Sequence, residues 1–221
     1  MKILAAADIH GKRLFYESLL DAAKPSDAQA IVLAGDLLGY PPGFDKAEDA
    51  QRADAKNILS LLKTSLVPIF YIMGNDDLVE LDPGPGLVRS IHGLRLDLGR
   101  YNFVGYRFSL PFMGGLYEKN EEDIERDLAD LAELADDHTI FVTHSPAKGI
   151  LDRTMLQTHA GSTSILDFVN KARVRAHIHG HIHAGFGRDG RHFNVAALPN
   201  AMAMLIEVDQ MTHHVLNLAG G

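Results

Sequence analysis

Residues 3–10 read Ile-Leu-Ala-Ala-Ala-Asp-Ile-His, five apolar residues followed by two polar side chains one residue apart. So short an apolar run reads as a buried strand, since a helix needs about ten residues or more. The same arrangement recurs along the chain. Ala30 to Ala34 leads into Gly35-Asp36, Val67 to Met73 into Gly74-Asn75, and Thr139 to Thr143 into His144. Helical patterns separate the first three runs. Phe15, Leu19, Leu20 and Ala23 share a face that Pro25 closes, and Asp45 and Glu48 have capping-box spacing ahead of a helix to about Lys63. Strand, helix, strand, helix, strand favours a largely parallel sheet with helices on its faces.

The pattern then changes. Asp82-Pro83-Gly84-Pro85-Gly86 is a turn cluster, and the alternating segments near 87–91, 94–98 and 101–106 read as antiparallel strands. Asn120 caps a helix with Ile124, Leu128, Leu131 and Ala135 on one stripe, and its acids read as a solvated face. Ser162 or Thr163 starts another helix through Ile165, Leu166 and Val169. Residues 174–179 alternate as a half-buried strand, and further strands are expected near 184–188, 191–196, 202–208 and 213–218. No repeat, low-complexity segment or dividing linker interrupts the chain, so a single domain over 1–221 is expected.

Composition narrows the function. The 221 residues are 46% apolar and 23% charged, as in a globular protein. The absence of cysteine excludes disulfides and thiolate zinc sites. Twenty-one basic against 29 acidic residues, a net charge of −8, oppose a nucleic-acid partner held by a general basic field. The five-residue N-terminal apolar run is shorter than a secretory core of about 7–15 residues, and no run approaches the ~20 that span a bilayer. A cytoplasmic protein without a membrane partner is the expectation.

Seven polar residues sit where a strand gives way to a loop: Asp8, His10, Asp36, Asn75, His144, His181 and His183. In open α/β sheets ligands bind at that carboxyl edge. A nitrogen and oxygen donor set suits Mn, Fe, Zn or similar divalent ions, and a shared carboxylate can hold two of them about 3.5–4 Å apart. Asp-x-His or Gly-Asp alone is a cap or turn in most proteins, and Gly-His-x-His says more; the ordered set is far more specific than its parts.

Asp8-Ile9-His10, Gly35-Asp36, Gly74-Asn75-Asp76-Asp77, Thr143-His144 and Gly180-His181-Ile182-His183 together resemble the signature of the calcineurin-like metallophosphoesterases. The stretches around His144-Ser145-Pro146 and His179 to His183, with Ala160-Gly161-Ser162 between, are most similar to the small Icc-related branch. The resemblance implies a four-layer αββα sandwich of two mixed β-sheets flanked by helices. It implies one ion on Asp8, His10, Asp36 and His183 and a second on Asp36, Asn75, His144 and His181, with Asp36 bridging. The activity implied is hydrolysis of a small phosphorylated substrate by in-line attack of a metal-bound hydroxide. A nuclease and a non-catalytic scaffold of the same fold are the alternatives; scaffolds tend to lose ligands, and all seven are present here.

One position departs from the commoner pattern. Many members carry histidine after the asparagine, whereas this chain has Asp76 and then Asp77. A carboxyl acts as a general acid near neutrality only if burial or a like-charged neighbour raises its pKa. An ionised Asp76 would instead repel a phosphomonoester dianion, and either state favours diesters. Asp76 and Asp77 are therefore catalytic candidates, joined by His179, which lies nearest the ligand loop and is placed to support a ligand from behind. His177 reads as packing or solvent-facing, and His159, His192, His213 and His214 as surface or turn residues. Lys12 and Arg13 read as a solvated helix start. The apolar, glycine-hinged segment from Leu110 to Tyr117 fits a lid or wall of the site, a homo-oligomer contact, or core.

Overall fold

The N-terminal apolar run forms β1 (Lys2–Ala6), a central strand of one of the two sheets in the computed structural model, which describes residues 1–39, 46–112 and 114–218. Asp45, the expected cap of the second helix, lies outside the described residues. The chain continues through α1 (Arg13–Ala23), β2 (Ala30–Ala34), α2 (Ala47–Leu62) and β3 (Ile69–Ile72). Next come β4 (Val88–Ser90), β5 (Arg95–Leu98), β6 (Tyr101–Tyr106), α3 (Glu121–Leu131), β7 (Thr139–Thr143), α4 (Thr163–Ala172) and β8 (Ala176–His179). Two hairpins end it: β9 (Gly187–Asp189) with β10 (His192–Asn194), and β11 (Met202–Glu207) with β12 (Thr212–Asn217).

The strands form two mixed six-stranded sheets, ordered β12-β11-β1-β2-β3-β4 and β5-β6-β7-β8-β10-β9. β1 to β4 run parallel in the first sheet, and β6, β7, β8 and β10 run parallel in the second. Alternation along each strand separates the layers. Ile3 and Ala5 of β1 face Val142 and Ile178 of the other sheet, while Leu4 and Ala6 pack with Leu19 of α1 and Ile58 of α2. On the far face of the second sheet, Val104 and Phe141 meet Ile124 and Leu128 of α3 and Phe168 of α4. The result is the expected αββα sandwich.

The helix starts follow the chemistry of their caps. Asn120 Oδ1 accepts the Asp123 N–H at 2.9 Å, and Ser162 Oγ accepts that of Ile165 at 3.1 Å, each satisfying an otherwise unpaired amide of the first turn. Three local expectations change. The segment near 87–91 is β4, parallel to β3, because the turn cluster after β3 carries the chain back before it re-enters the same sheet edge. The strand expected at 184–188 begins instead with a 3₁₀ turn at His183–Gly185. His192 is buried at the start of β10 rather than on the surface. No helix among the described residues is long and apolar enough to cross a membrane.

Candidate metal centre

The loops leaving β1, β2, β3, β7 and β8 converge at one edge of the sandwich. They are stitched by backbone bonds: Asp8 N–H donates to the Gly35 carbonyl at 2.9 Å, His10 N–H to that of Asp36 at 3.0 Å, and Gly180 N–H to that of His144 at 3.1 Å. Asp8, His10, Asp36 and His181 all have positive φ, between 48° and 68°. L-residues disfavour that region by about 1–2 kcal/mol, and such strain gathers where a side chain must be aimed. The glycines of the motifs have a packing reason. A Cβ at Gly74 would lie 2.3 Å from Asp36 Oδ1, and one at Gly180 2.4 Å from Asp8 Oδ2.

All seven predicted ligand residues reach this edge. His183 Nε2 is 3.3 Å from Asp8 Oδ1, and His10 Nε2 is 4.0 Å from Asp36 Oδ2. His144 Nε2 lies 3.3 Å from Asp36 Oδ2 and 2.9 Å from Asn75 Oδ1, and the His181 ring centroid is 5.0 Å from that of His144. One ligand atom each from Asp8, His10 and His183 falls within 4.8 Å of the others, as does one each from Asp8, Asp36 and His144.

The donor set fits divalent cations. His144 Nδ1–H donates to the Ala34 carbonyl at 2.9 Å, which turns the Nε2 lone pair toward Asn75 Oδ1 and Asp36 Oδ2. Three lone-pair atoms therefore face one another in a buried place, where a positive charge must sit among them. In the metal-free chain that charge is a proton. Burial opposes the imidazolium, yet the Asp36 carboxylate outweighs it and pushes His144 up to about 10. Burial alone would raise Asp36, but His144 and His10 hold it well below the usual carboxylate range. His181 is driven down to about 4 by burial and by the charge on His144, leaving it neutral as a ligand must be. The hydrogen bond to Asp8 raises His183.

The calcineurin-like phosphoesterase family model matches residues 1–185. The chain belongs to that family. Among solved structures, TT1561 of Thermus thermophilus superposes with a TM-score of 0.74 at 18% identity, over 98% of each chain. A dimetal phosphatase from Danio rerio gives 0.61 at 13% identity, over 93% of this chain and 91% of that one. GAP50, the anchor in the inner membrane complex of Plasmodium, gives 0.51 at 13% identity, over 100% and 89%. At these identities the likeness is one of fold. A search of curated protein sequences finds no match.

Within this member of the family the two adjacent aspartates have different surroundings. Asp76 is half-buried at the ligand cluster: one of its oxygens lies within 4.8 Å of ligand atoms of His10 and Asp36, and Oδ1 accepts the Asn75 amide N–H at 2.8 Å. Burial and the charge of Asp36 raise its pKa. Asp77 turns away into the protein. Its carboxylate accepts backbone N–H groups from Gly74 and Leu38 at 2.8 Å and from Leu37 at 3.2 Å, tying the loop after β3 to the loop after β2. Burial and Asp36 push Asp77 up to about 8 against those three bonds. Its carboxylate, expected from sequence beside the reacting groups, thus faces main-chain N–H groups instead of the ligand cluster.

His179, expected from sequence to support a ligand, likewise lies in the interior. It is fully buried against His177, with ring centroids 5.0 Å apart, and neither ring nitrogen has a hydrogen-bond partner among the described residues. Burial drives it down to about 3. It supports no ligand by hydrogen bonding, because the alternation of β8 directs it toward the α3 and α4 layer. Sequence reasoning missed Gln51. Its Nε2 donates to the Asp76 carbonyl at 2.8 Å and its Oε1 accepts the Leu78 N–H at 2.6 Å, so α2 holds the Asp76 loop from behind. A signal existed: Gln51 is the polar member of the otherwise apolar stripe Ala47, Gln51, Ala55, Ile58, Leu62. The segment from Leu110 to Tyr117 contributes a wall. Phe112, 58% exposed, sets its ring edge-on to His181 at 5.3 Å, and Gly115 lies so close to the Asn75 carbonyl that a Cβ would stand 2.4 Å from it. Met113 lies outside the described residues.

Proposed function

We propose that this protein is a binuclear metal-dependent phosphoesterase that prefers small phosphodiesters to phosphomonoesters. The observation that carries the reading is the pair of ligand sets meeting at Asp36 with the Asp76 carboxylate beside them. Asp8, His10, Asp36 and His183 would hold one divalent ion, and Asp36, Asn75, His144 and His181 the other; manganese, iron and zinc all suit these donors. When bound, the ions supply Lewis acidity toward phosphoryl oxygens and make water easier to ionise.

The chain's own residues do the rest. The Ala34 carbonyl fixes the His144 tautomer, Gln51 and Asp77 hold the loops after β2 and β3 in register, and the glycines let those loops touch. Asp76 places negative charge near the approaching phosphate, which penalises a dianionic monoester more than a monoanionic diester. Exposed Phe112 offers an apolar face to the ester substituent. The net charge of −8 weighs against a nuclease. GAP50 is named as an anchor, but the complete ligand set here favours catalysis over a purely structural role.

The test is elemental analysis and turnover of an aryl phosphodiester and the matching monoester, before chelation, after it, and after adding Mn²⁺. The expected result is two ions per chain, loss of both activities on chelation, and recovery with the diester ahead. Undiminished turnover in metal-free protein would overturn the proposal.

A further inference from the structure

A cavity of about 650 Å³ opens at the edge of the sandwich opposite the metal loops. Its position follows from strand direction: Arg173 and Arg175 lead into β8, whereas His181 and His183 follow it. Arg188 and Arg191 enter from the β9–β10 hairpin, Met211 from the β11–β12 turn, and Asp137 from the residues before β7. Four of the chain's twelve arginines thus line one pocket, all of them within residues 173–191, from the segment that leads into β8 and from the β9–β10 hairpin.

These guanidiniums differ from most others in the protein. Arg13, Arg52, Arg95, Arg100, Arg107 and Arg126 each make an ion pair with a carboxylate. None of the four pocket arginines does so with any described residue, in a chain where acids outnumber bases 29 to 21. The lining carboxylate, Asp137, pairs with His138 Nδ1 at 2.7 Å. Three of the four are held by main-chain carbonyls instead. Arg175 Nη2 donates to Val208 and Asp209 at 2.8 and 2.7 Å, Arg188 Nε to Gly190 at 2.8 Å, and Arg191 Nη1 to Val174 at 3.1 Å. Carbonyls orient a guanidinium without neutralising it, and each fork keeps N–H donors free. The Arg173 side chain makes no hydrogen bond among the described residues, and the residue sits at φ 55° in the C-cap of α4, a position usually filled by glycine.

We propose that this pocket binds a compact oligophosphate, two or three linked phosphate groups, at a site separate from the metal centre. Preorganised guanidinium forks match phosphate oxygens bidentately, and four cations facing one lining carboxylate leave the pocket short of negative charge. The volume lies in the range of small-molecule sites. No aromatic ring lines it to stack a nucleobase, and the remainder of the chain is acidic, so the phosphate chain rather than a nucleic-acid strand is the element recognised. Inorganic polyphosphate and the tail of a nucleoside triphosphate share this chemistry.

Calorimetric titration of the full-length protein with tripolyphosphate, before and after chelation, tests the proposal. The comparison is with Arg173→Gln/Arg188→Gln and with the charge-keeping Arg173→Lys/Arg188→Lys. The expected result is one equivalent bound in a way that survives chelation, with Kd raised about tenfold or more in the glutamine pair. A smaller rise is expected in the lysine pair, because charge remains while the forks are lost. Phosphodiester turnover should be unchanged in both. ATP binding at least as tightly as tripolyphosphate would identify a nucleotide tail as the source, and tripolyphosphate binding tighter would identify the inorganic chain; both uphold the site. Binding that vanishes on chelation, or is indifferent to the substitutions, assigns the anion elsewhere and overturns the proposal. So does a single-stranded oligonucleotide that outcompetes both phosphate probes.

Discussion

Asp76 and Asp77 are neighbours in the chain and opposites in the fold. The backbone turn after Asn75 directs Asp76 toward His10 and Asp36 and sends Asp77 into three main-chain N–H groups. Replacing Asp76 with histidine removes a carboxylate from beside the ligands and introduces a side chain able to donate a proton near pH 7. Asp76→His is therefore expected to raise kcat/KM for an aryl monoester relative to the matching diester. The ratio should change about tenfold if transition-state stabilisation differs by roughly 1.4 kcal/mol. The measurement needs parent and variant at one pH and one metal concentration, with two ions bound in each. A ratio that stays level or falls would move substrate selection to the wall that carries Phe112.

At the scale of elements, β7, β8 and β10 are joined by a chain of side-chain hydrogen bonds beneath α3 and α4. The Thr143 hydroxyl donates to the Ser145 carbonyl, so His177 Nε2–H must donate to Thr143 Oγ1, at 2.8 Å. His177 Nδ1 is then the acceptor for His192 Nδ1–H, at 2.9 Å. Both rings are neutral in the fold. Burial holds His177 well below the ordinary histidine value and, aided by Arg191, His192 down to about 4. In the unfolded chain both titrate near 6.5. Below that pH the unfolded state takes up protons that the folded state refuses, so stability is complete above about 6.5 and declines as the pH falls toward about 4. Urea denaturation of metal-free protein at pH 7.5 and 5 should show this decline, and His192→Asn should reduce it. Equal pH dependence in parent and variant would show that the pair does not carry the effect.

For the whole molecule, the contact between sheets holds the two halves of the ligand set together, because Asp8, His10, Asp36 and Asn75 follow strands of one sheet and His144, His181 and His183 strands of the other. Phe70 of β3 and Phe103 of β6 meet across that layer with ring centroids 4.5 Å apart. Phe103→Ala should destabilise the protein by about 3–5 kcal/mol through lost burial and the cavity left behind. It should still bind two ions per chain where it remains folded. Thermal or urea denaturation with elemental analysis of the folded variant checks both parts, and loss of metal with unchanged stability would contradict this account.

The sequence by itself determined the elements and the ligand types. Short apolar runs ending in aspartate, asparagine or histidine specify buried strands with polar residues at their carboxyl ends, and both signals are local because strand period and turn chemistry act over a few residues. The tertiary structure alone decided what depends on direction in space. The short strand at Val88 became parallel because the preceding turns return the chain to the same sheet edge. One turn and one strand alternation point Asp77 and His179 into the interior, a direction their place in the motif did not reveal. Gln51 gained a role because α2 packs behind the Asp76 loop. The four pocket arginines lie close together in sequence, within residues 173–191, but that they line one pocket was decided only when the end of α4, the start of β8 and the β9–β10 hairpin met at the edge remote from the candidate metal centre.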